Sequence, residues 1–322
     1  MRLDYTRKIM KKIVSLSLVA LLLIGCRAKP AADDVSVASS YYHPYGFSIS
    51  NQEWLSRGQN GKVVSQLKGG AVQTIHYENG QRHGSAEWTF PYTNLVSNSE
   101  EYHHGQLVKQ TSHYSSGAPK HQIYFLNSEE QQIMTWYEDG SPQSREKWKN
   151  KQLMEAKYIE RSGTVESSID QGSGQRLERD SHFIVAQEEY LNGWLISRTE
   201  FFPNKKISAQ IHHDKGRVHG TIERYNPQGQ LIATESWKLG KREGNVEEFV
   251  NGQKMAEIPF VNNLKHGQEK RFREEELVET LEWLEGKKHG PHHMFVNGKS
   301  VKVEYYYFDI PVSKVAFENM II

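Results

Sequence analysis

Fifteen histidines and one cysteine are the residues of this 322-residue chain from which chemistry could most readily be built. The histidines invite a metal: His289, His292 and His293 form an H-x-x-H-H cluster, and His103-His104 and His212-His213 are adjacent pairs. Imidazole is a common ligand of zinc and copper, but three or four ligands must converge to ~2 Å from the ion. Adjacent residues of a strand face opposite sides, so each pair offers one ligand per face. The histidines that recur at equivalent places, His219, His266 and His289, should lie at least two strands apart, ~9.6 Å. These spacings predict no metal site and no cofactor. The chain has no G-x-x-x-x-G-K-[ST] phosphate loop, no G-x-S-x-G elbow and no H-E-x-x-H. It is expected not to be an enzyme.

A single cysteine excludes a disulfide framework, a Cys-based zinc site and a C-x-x-C redox motif. It closes a different pattern. A basic stretch is followed by the apolar run Ile13 to Ile24 and then by Gly25 and Cys26. That run is short of the ~20 residues a bilayer-spanning helix needs, and a basic head before a short apolar centre marks an export signal. Leu23-Ile24-Gly25-Cys26 resembles the bacterial lipobox, in which the cysteine is acylated and becomes the first residue of the mature protein. The resemblance implies a signal peptide over 1–25, a lipid anchor on Cys26 and a place at the bacterial cell envelope. Arg27, where an inner-membrane retention signal would have Asp, favours the outer membrane of a Gram-negative host. Met10 opens MKK directly onto the apolar run and is an alternative start. Residues 26–40 are small and polar after the cysteine and read as a disordered tether. Forty Lys plus Arg against 39 Asp plus Glu removes any argument from bulk charge for nucleic-acid binding.

The rest of the chain is organised by self-similarity. WKLGKREGNVEEF from Trp237, FVNNLKHGQEKRF from Phe260 and WLEGKKHGPHHMF from Trp283 align at steps of 23. Extending the pattern gives His213, Trp237, Phe260, Trp283 and Tyr306 as one series and Phe202, Tyr225, Phe249, Phe272 and Phe295 as the other, again at 23 or 24. Trp54, Tyr77, Tyr102, Phe125 and Trp148 carry the metre in the N-terminal part, with Tyr114 and Tyr137 marking the other half. It breaks between Tyr158 and Tyr190. The boundaries are therefore repeats over 41–158, a degenerate repeat or seam over 159–189, repeats over 190–308 and a terminal cap over 309–322.

Half-repeats of ~11 residues are too short for capped helices and suit strands. Asn79-Gly80, Asp139-Gly140, Asn192-Gly193, Asn251-Gly252 and Asn297-Gly298 supply the positive φ of tight hairpin turns. The expected fold is all-β, an extended antiparallel meander forming a mostly single-layer twisted sheet. Glu, Lys and Arg within the strands argue against covering both faces. Trp88, Trp136, Trp148, Trp237 and Trp283 are expected to pack the sheet, with the aromatics stacked in a continuous stripe. Pro311 should end the sheet, and Ser313 to Met320 should form a short helix capping the last edge.

The motif Y-x-N-G-x-x-x-G resembles the MORN repeat, and the 23-residue form is similar to the YwqK-type group of bacterial MORN-like proteins. The match is carried by Tyr77, Asn79, Gly80 and Gly84; by Trp237, Gly240 and Gly244; by Phe260, Asn263 and Gly267; and by Trp283, Gly286 and Gly290. Gly216 and Gly220 hold the corresponding glycine places, all nine glycines being read as repeat-turn glycines. The resemblance implies an antitoxin component, a protein that binds and neutralises a toxin.

Alternate turns of a meander share an edge. One edge should carry Arg82 and His83, Arg217 and His219, Lys241 and Arg242, Lys265 and His266, and Lys287, Lys288 and His289. Such an edge could attract anionic lipid or an acidic partner, or could be solvated turn residues blunting a sheet edge. Taken together, these features predict a membrane-anchored, non-enzymatic lipoprotein that offers a surface to a protein partner. Toxin neutralisation and binding of anionic lipid are the alternatives. A Cys26→Ala variant should lose metabolic labelling with a fatty acid, and undiminished labelling would show that the cysteine is not the anchor.

Overall fold

The computed structural model describes residues 35–180 and 183–321; Cys26, its lipobox, the export signal and residues 26–34 of the tether lie outside them. The described chain folds as one open antiparallel sheet of 26 strands, running in chain order from β1 (Ser36–Tyr42) to β26 (Ile310–Val312). One exchange occurs at the start, where β1 lies between β2 (Ser48–Ile49) and β3 (Gly61–Leu67). Strands pack on their ladder neighbours, and among the described residues no second layer covers either face. The all-β meander read from the repeats is the observed architecture.

The two long edges are turned differently. On one, two-residue turns pair a left-handed residue with a glycine, as at Asn79-Gly80 (φ 51° and 76°), Asn192-Gly193 and Leu239-Gly240. Asn263, φ 71°, fills the glycine place in one repeat, as the sequence suggested. On the other edge many turns are longer. Asp139-Gly140 belongs here: only Gly140 is left-handed, and Tyr137 N–H donates to Ser141 O across a wider loop, so this pair is not a tight two-residue turn.

Five glycines read as turn glycines are not in turns. Gly84, Gly220, Gly244 and Gly290 lie inside strands, each at a register shift, and Gly267 opens one. In the first, Ile75 faces Ala86 and Tyr77 faces Arg82, leaving His76 opposite three residues, His83 to Ser85. The extra residues form a bulge, and glycine fits its positive φ, 76° at Gly84 and 116° at Gly290.

Three further features differ from expectation, whereas the terminal helix is as expected. Ser36–Ser40, assigned to the tether, belong to β1 and pair with β3, because their backbone completes the ladder whatever their side chains. Trp54 is not on a strand. It sits buried in helix α1 (Asn51–Ser56), whose Ser50 and Glu53 form a reciprocal capping box, and its ring contacts Tyr41 and Tyr77. Pro311 does not end the sheet but pairs opposite Tyr306 in β26, an edge strand where the missing N–H is not needed. Helix α2 (Lys314–Met320), capped by Ser313, packs Phe317 against Tyr305 of β25 (Lys299–Tyr307).

The aromatics do not form a continuous stack. Equivalent rings of successive repeats are two strands apart, ~9.6 Å, beyond the 4.5–7 Å of ring contact. Among the described residues, ring-to-ring contacts fall between Tyr41 and His104 and between His289 and Phe317. Elsewhere a cation from the intervening hairpin fills the gap: the Arg242 guanidinium lies 5.4 Å from the Trp237 ring and 4.8 Å from that of Phe260.

The sheet continues through 159–180 and 183–189. There β12 (Val165–Asp170) and β13 (Ser173–Asp180) keep two paired positions, and β11 (Gln152–Ile159) touches β13 directly. Three turns converge as a result: Gly172 N–H donates to Met154 O, Gly193 N–H to Gly172 O and Leu153 N–H to Gly193 O. Leu153, Ala156, Tyr158, Ile169 and Tyr190 form the core beside them. A Cβ on Gly172 would lie 2.4 Å from Gly193 N, whereas one on Gly140 would meet nothing within 4 Å. Gly140→Ala should therefore cost only the left-handed penalty of ~1–2 kcal/mol, and Gly172→Ala a further ~1–3 kcal/mol for the overlap. Urea unfolding of the two variants checks this, and equal losses would remove the close approach as a constraint.

Candidate functional site

Strand alternation gives the sheet two unlike faces. On one, cross-strand partners run Glu178, Ala186, Glu200, Ala209, Arg224, Ala233, Glu248, Ala256, Arg271, a charged residue alternating with alanine. Ala186, Ala209 and Ala256 are fully buried, because the long side chains on either side lie over them. Beside this file runs a second, in which Glu188, Glu235 and Glu269 are among the least exposed residues of the chain, at 5%, 6% and 2%.

Each of these carboxylates is held by two or three donors. Glu235 accepts from the Trp237 indole at 3.0 Å, from Arg224 Nε at 2.6 Å and from Arg242 Nη2 at 3.0 Å. Glu269 accepts from the Trp283 indole at 2.9 Å, Lys265 Nζ at 2.7 Å and Arg271 Nε at 2.8 Å. Glu188 takes Tyr190 OH and Arg198, and Glu146 takes Trp148 Nε1 and Tyr158 OH, both at 2.8 Å. Arg176 spans the seam between the last two, 3.5 Å from Glu146 and 3.6 Å from Glu188. Burial pushes the Glu235 and Glu269 carboxyls up, but their cations and hydrogen-bond donors outweigh it and hold both below the ordinary 4.5. Burial and Glu146 push the Tyr158 hydroxyl up, which keeps it a donor. A buried carboxylate held by two or three fixed donors is placed as a structural group.

These carboxylates and alanines were missed in the sequence, although they keep its metre. AQEEY at 186, AQIHH at 209, ATESW at 233 and AEIPF at 256 repeat alanine, a central Glu or Ile, and a ring two positions later.

The basic turn residues do share one edge, held by backbone bonds from turn to turn: Gly240 N–H donates to Val218 O, Asn263 to Arg242 O and Gly286 to Lys265 O. Their cations divide into two groups. Arg82, Arg242, Lys265 and Lys288 fold over Tyr102, Trp237, Trp283 and Tyr306, and the first three also pair with Glu100, Glu235 and Glu269. Arg217, Lys241 and Lys287 are exposed, Lys241 reaching Asn262 Oδ1 and Lys287 lying over Phe308. The third residue after the turn often serves the next turn: His83 Nδ1 accepts His104 N–H, His219 Nδ1 accepts Leu239 N–H, and Glu243 Oε2 accepts Asn262 N–H. His266 is exposed, and His289 packs on Tyr307, Phe308 and Phe317. The edge is therefore less basic toward solvent than its sequence suggests.

His292, 6% exposed, is held by Glu279 at 2.6 Å and lies 3.5 Å from Glu304. The expectation that adjacent histidines point to opposite faces does not hold at His103-His104. His104 is the left-handed residue of a turn, φ 46°, and the alternation stops there. Its ring lies 4.5 Å from that of His103 and 4.7 Å from that of His83.

No protein-family model matches the chain, and no curated protein matches it.

Removing the Glu235 carboxylate strands two cations and an indole donor. Glu235→Ala should cost about 2–3 kcal/mol, less than the ~3–5 of a fully buried pair, because Arg224 and Arg242 are exposed by 37% and 33% and can reach water. A carboxyl depressed by folding gives stability that is complete above pH 4.5 and is lost as pH falls through the depressed value. Acid unfolding followed by circular dichroism should thus show a shallower low-pH limb in Glu235→Gln than in the wild type.

Proposed function

We propose that this chain is a lipid-anchored, non-enzymatic repeat protein of MORN-like type whose open sheet face docks a protein partner at the bacterial envelope. The observation that carries the reading is the face opposite the buried carboxylates. There Thr199, Gln210, Glu223, Thr234, Glu247, Glu257 and Lys270 pair in one unbroken file across seven strands. Nothing among the described residues covers it. Seven strands ~4.8 Å apart and about eight residues long give a patch of about 900 Å², close to the ~800 Å² per partner of a specific interface. The bonds beneath and along the edges hold the patch rigid, so little order is lost when a partner binds. Small-molecule sites are concave and mostly apolar, and this face is neither.

The anchor read in the sequence fits that use. Nine residues separate Cys26 from Ser36 of β1, so the sheet begins within ~35 Å of the lipid. A photo-crosslinking residue placed at Thr234 or Glu247 in intact cells should give a discrete protein adduct, and one at Lys241 on the turn edge should give little. No adduct from either face position would refute the reading. An adduct with a toxin encoded beside this gene would assign the neutralising role that the family resemblance implies.

A further inference from the structure

His83, His103 and His104 form a binding site for a divalent transition-metal ion of the Zn²⁺ or Cu²⁺ class, we propose. Each ring offers one nitrogen, and these nitrogens all lie within 4.8 Å of one another. Two adjacent turns of the same edge bring them together. His83 leaves β5 (Gln81–Thr89) at the bulge formed around Gly84, and His103 ends β6 (Val96–His103). His104 turns back in the left-handed conformation. The turns are fixed to each other by Gly105 N–H donating to Arg82 O at 2.8 Å. Glu78 adds a carboxylate: its Oε2 lies 3.3 Å from His83 Nδ1 and 3.8 Å from His104 Nδ1.

Ring packing alone would explain these residues poorly, and the last repeat shows the contrast. Gly84 faces Tyr102 as Gly290 faces Tyr306, so His289, Tyr307 and Phe308 occupy the places of His83, His103 and His104. That cluster packs on the buried Phe317 and needs one imidazole. In the N-terminal repeat all three rings are imidazoles, His103 and His104 are exposed, and an apolar cap of that kind is replaced by a carboxylate. Exposed imidazoles gain little from packing, whereas three nitrogens with an adjacent negative charge suit a borderline metal ion. The nitrogens, all within 4.8 Å of one another, must close to the ~3.3 Å of tetrahedral coordination, which rotation of the exposed His103 and His104 rings can supply without moving the turns. The charge of Arg82 is directed away, over the Tyr102 ring and toward Glu100. Glu78 lies outside the three-nitrogen cluster but beside two of its rings, so its charge favours a cation there, and the ion would clasp two neighbouring turns.

Zn²⁺ alone is the probe, titrated into the full-length protein in detergent and followed by calorimetry and by thermal unfolding. One Zn²⁺ per chain and a rise in melting temperature are expected. His104→Asn keeps a residue that tolerates the left-handed turn and removes the imidazole, and His103→Phe reproduces the aromatic found at Tyr307. Both should weaken binding at least ~10-fold while leaving the metal-free melting curve close to wild type. His212→Asn, in a separate histidine pair, should change neither. Wild-type affinity in His104→Asn and His103→Phe, or failure of the wild type to bind Zn²⁺, would overturn the proposal. So would loss of binding in His212→Asn.

Discussion

A single-layer sheet has no second layer in which to bury its side chains, and the constraint from which the rest follows is that it must make an interior out of one of its own faces. It does so with length. Arginines, glutamates and tryptophans lie along the sheet rather than standing away from it, and they cover the alanines between them. Such side chains carry charge into the covered layer, which is tolerable only when every carboxylate meets its donors. The pairing of Glu235 with Arg224, Arg242 and Trp237 is therefore a condition of the architecture.

The same constraint explains the low hydrophobic content, 37%, in a chain with this much regular structure. Two clusters of buried apolar residues stand out among the described residues, the smaller, Val246, Ala256, Ile258 and Phe260, lying within the C-terminal repeats. The larger surrounds Leu153 and Tyr158 at the seam, where β12 is short and three turns crowd together. Elsewhere a ring, a cation and a carboxylate form the unit, and the cation of one hairpin bridges rings that are too far apart to touch.

The fold class, the meander and the terminal helix were legible because their signals are local: a fixed period, left-handed turn residues and a cap. What escaped notice was of two kinds. Some features had readable local signals that the repeat masked: Ser50 and Glu53 announce a capping box, yet the 23-residue step from Trp54 to Tyr77 drew Trp54 into a strand. Others depend on which face a residue takes. The bulge at Gly84 and the left-handed His104 both shift strand parity, so a rule of strict alternation separated three histidines that the backbone brings together. The buried glutamates were visible as charges within strands, but burial of a charge depends on partners one and two strands away, which no window of sequence contains.

The two edges are also fastened by different means. Along the edge of two-residue turns the fastening is largely main chain to main chain, as from Gly286 to Lys265 and from Asp309 to Lys288. Along the other, side chains do much of it: Tyr114 and Tyr137 donate their hydroxyls to Trp136 O and Ile159 O, and Asn204 reaches Pro227 O. A main-chain fastening is indifferent to the residue that provides it. Arg217, Lys241 and Lys287 are thus exchangeable fittings on a frame that does not depend on them, and the charge of that edge can drift between lineages at little cost to folding, while the opposite edge is bound to its tyrosines.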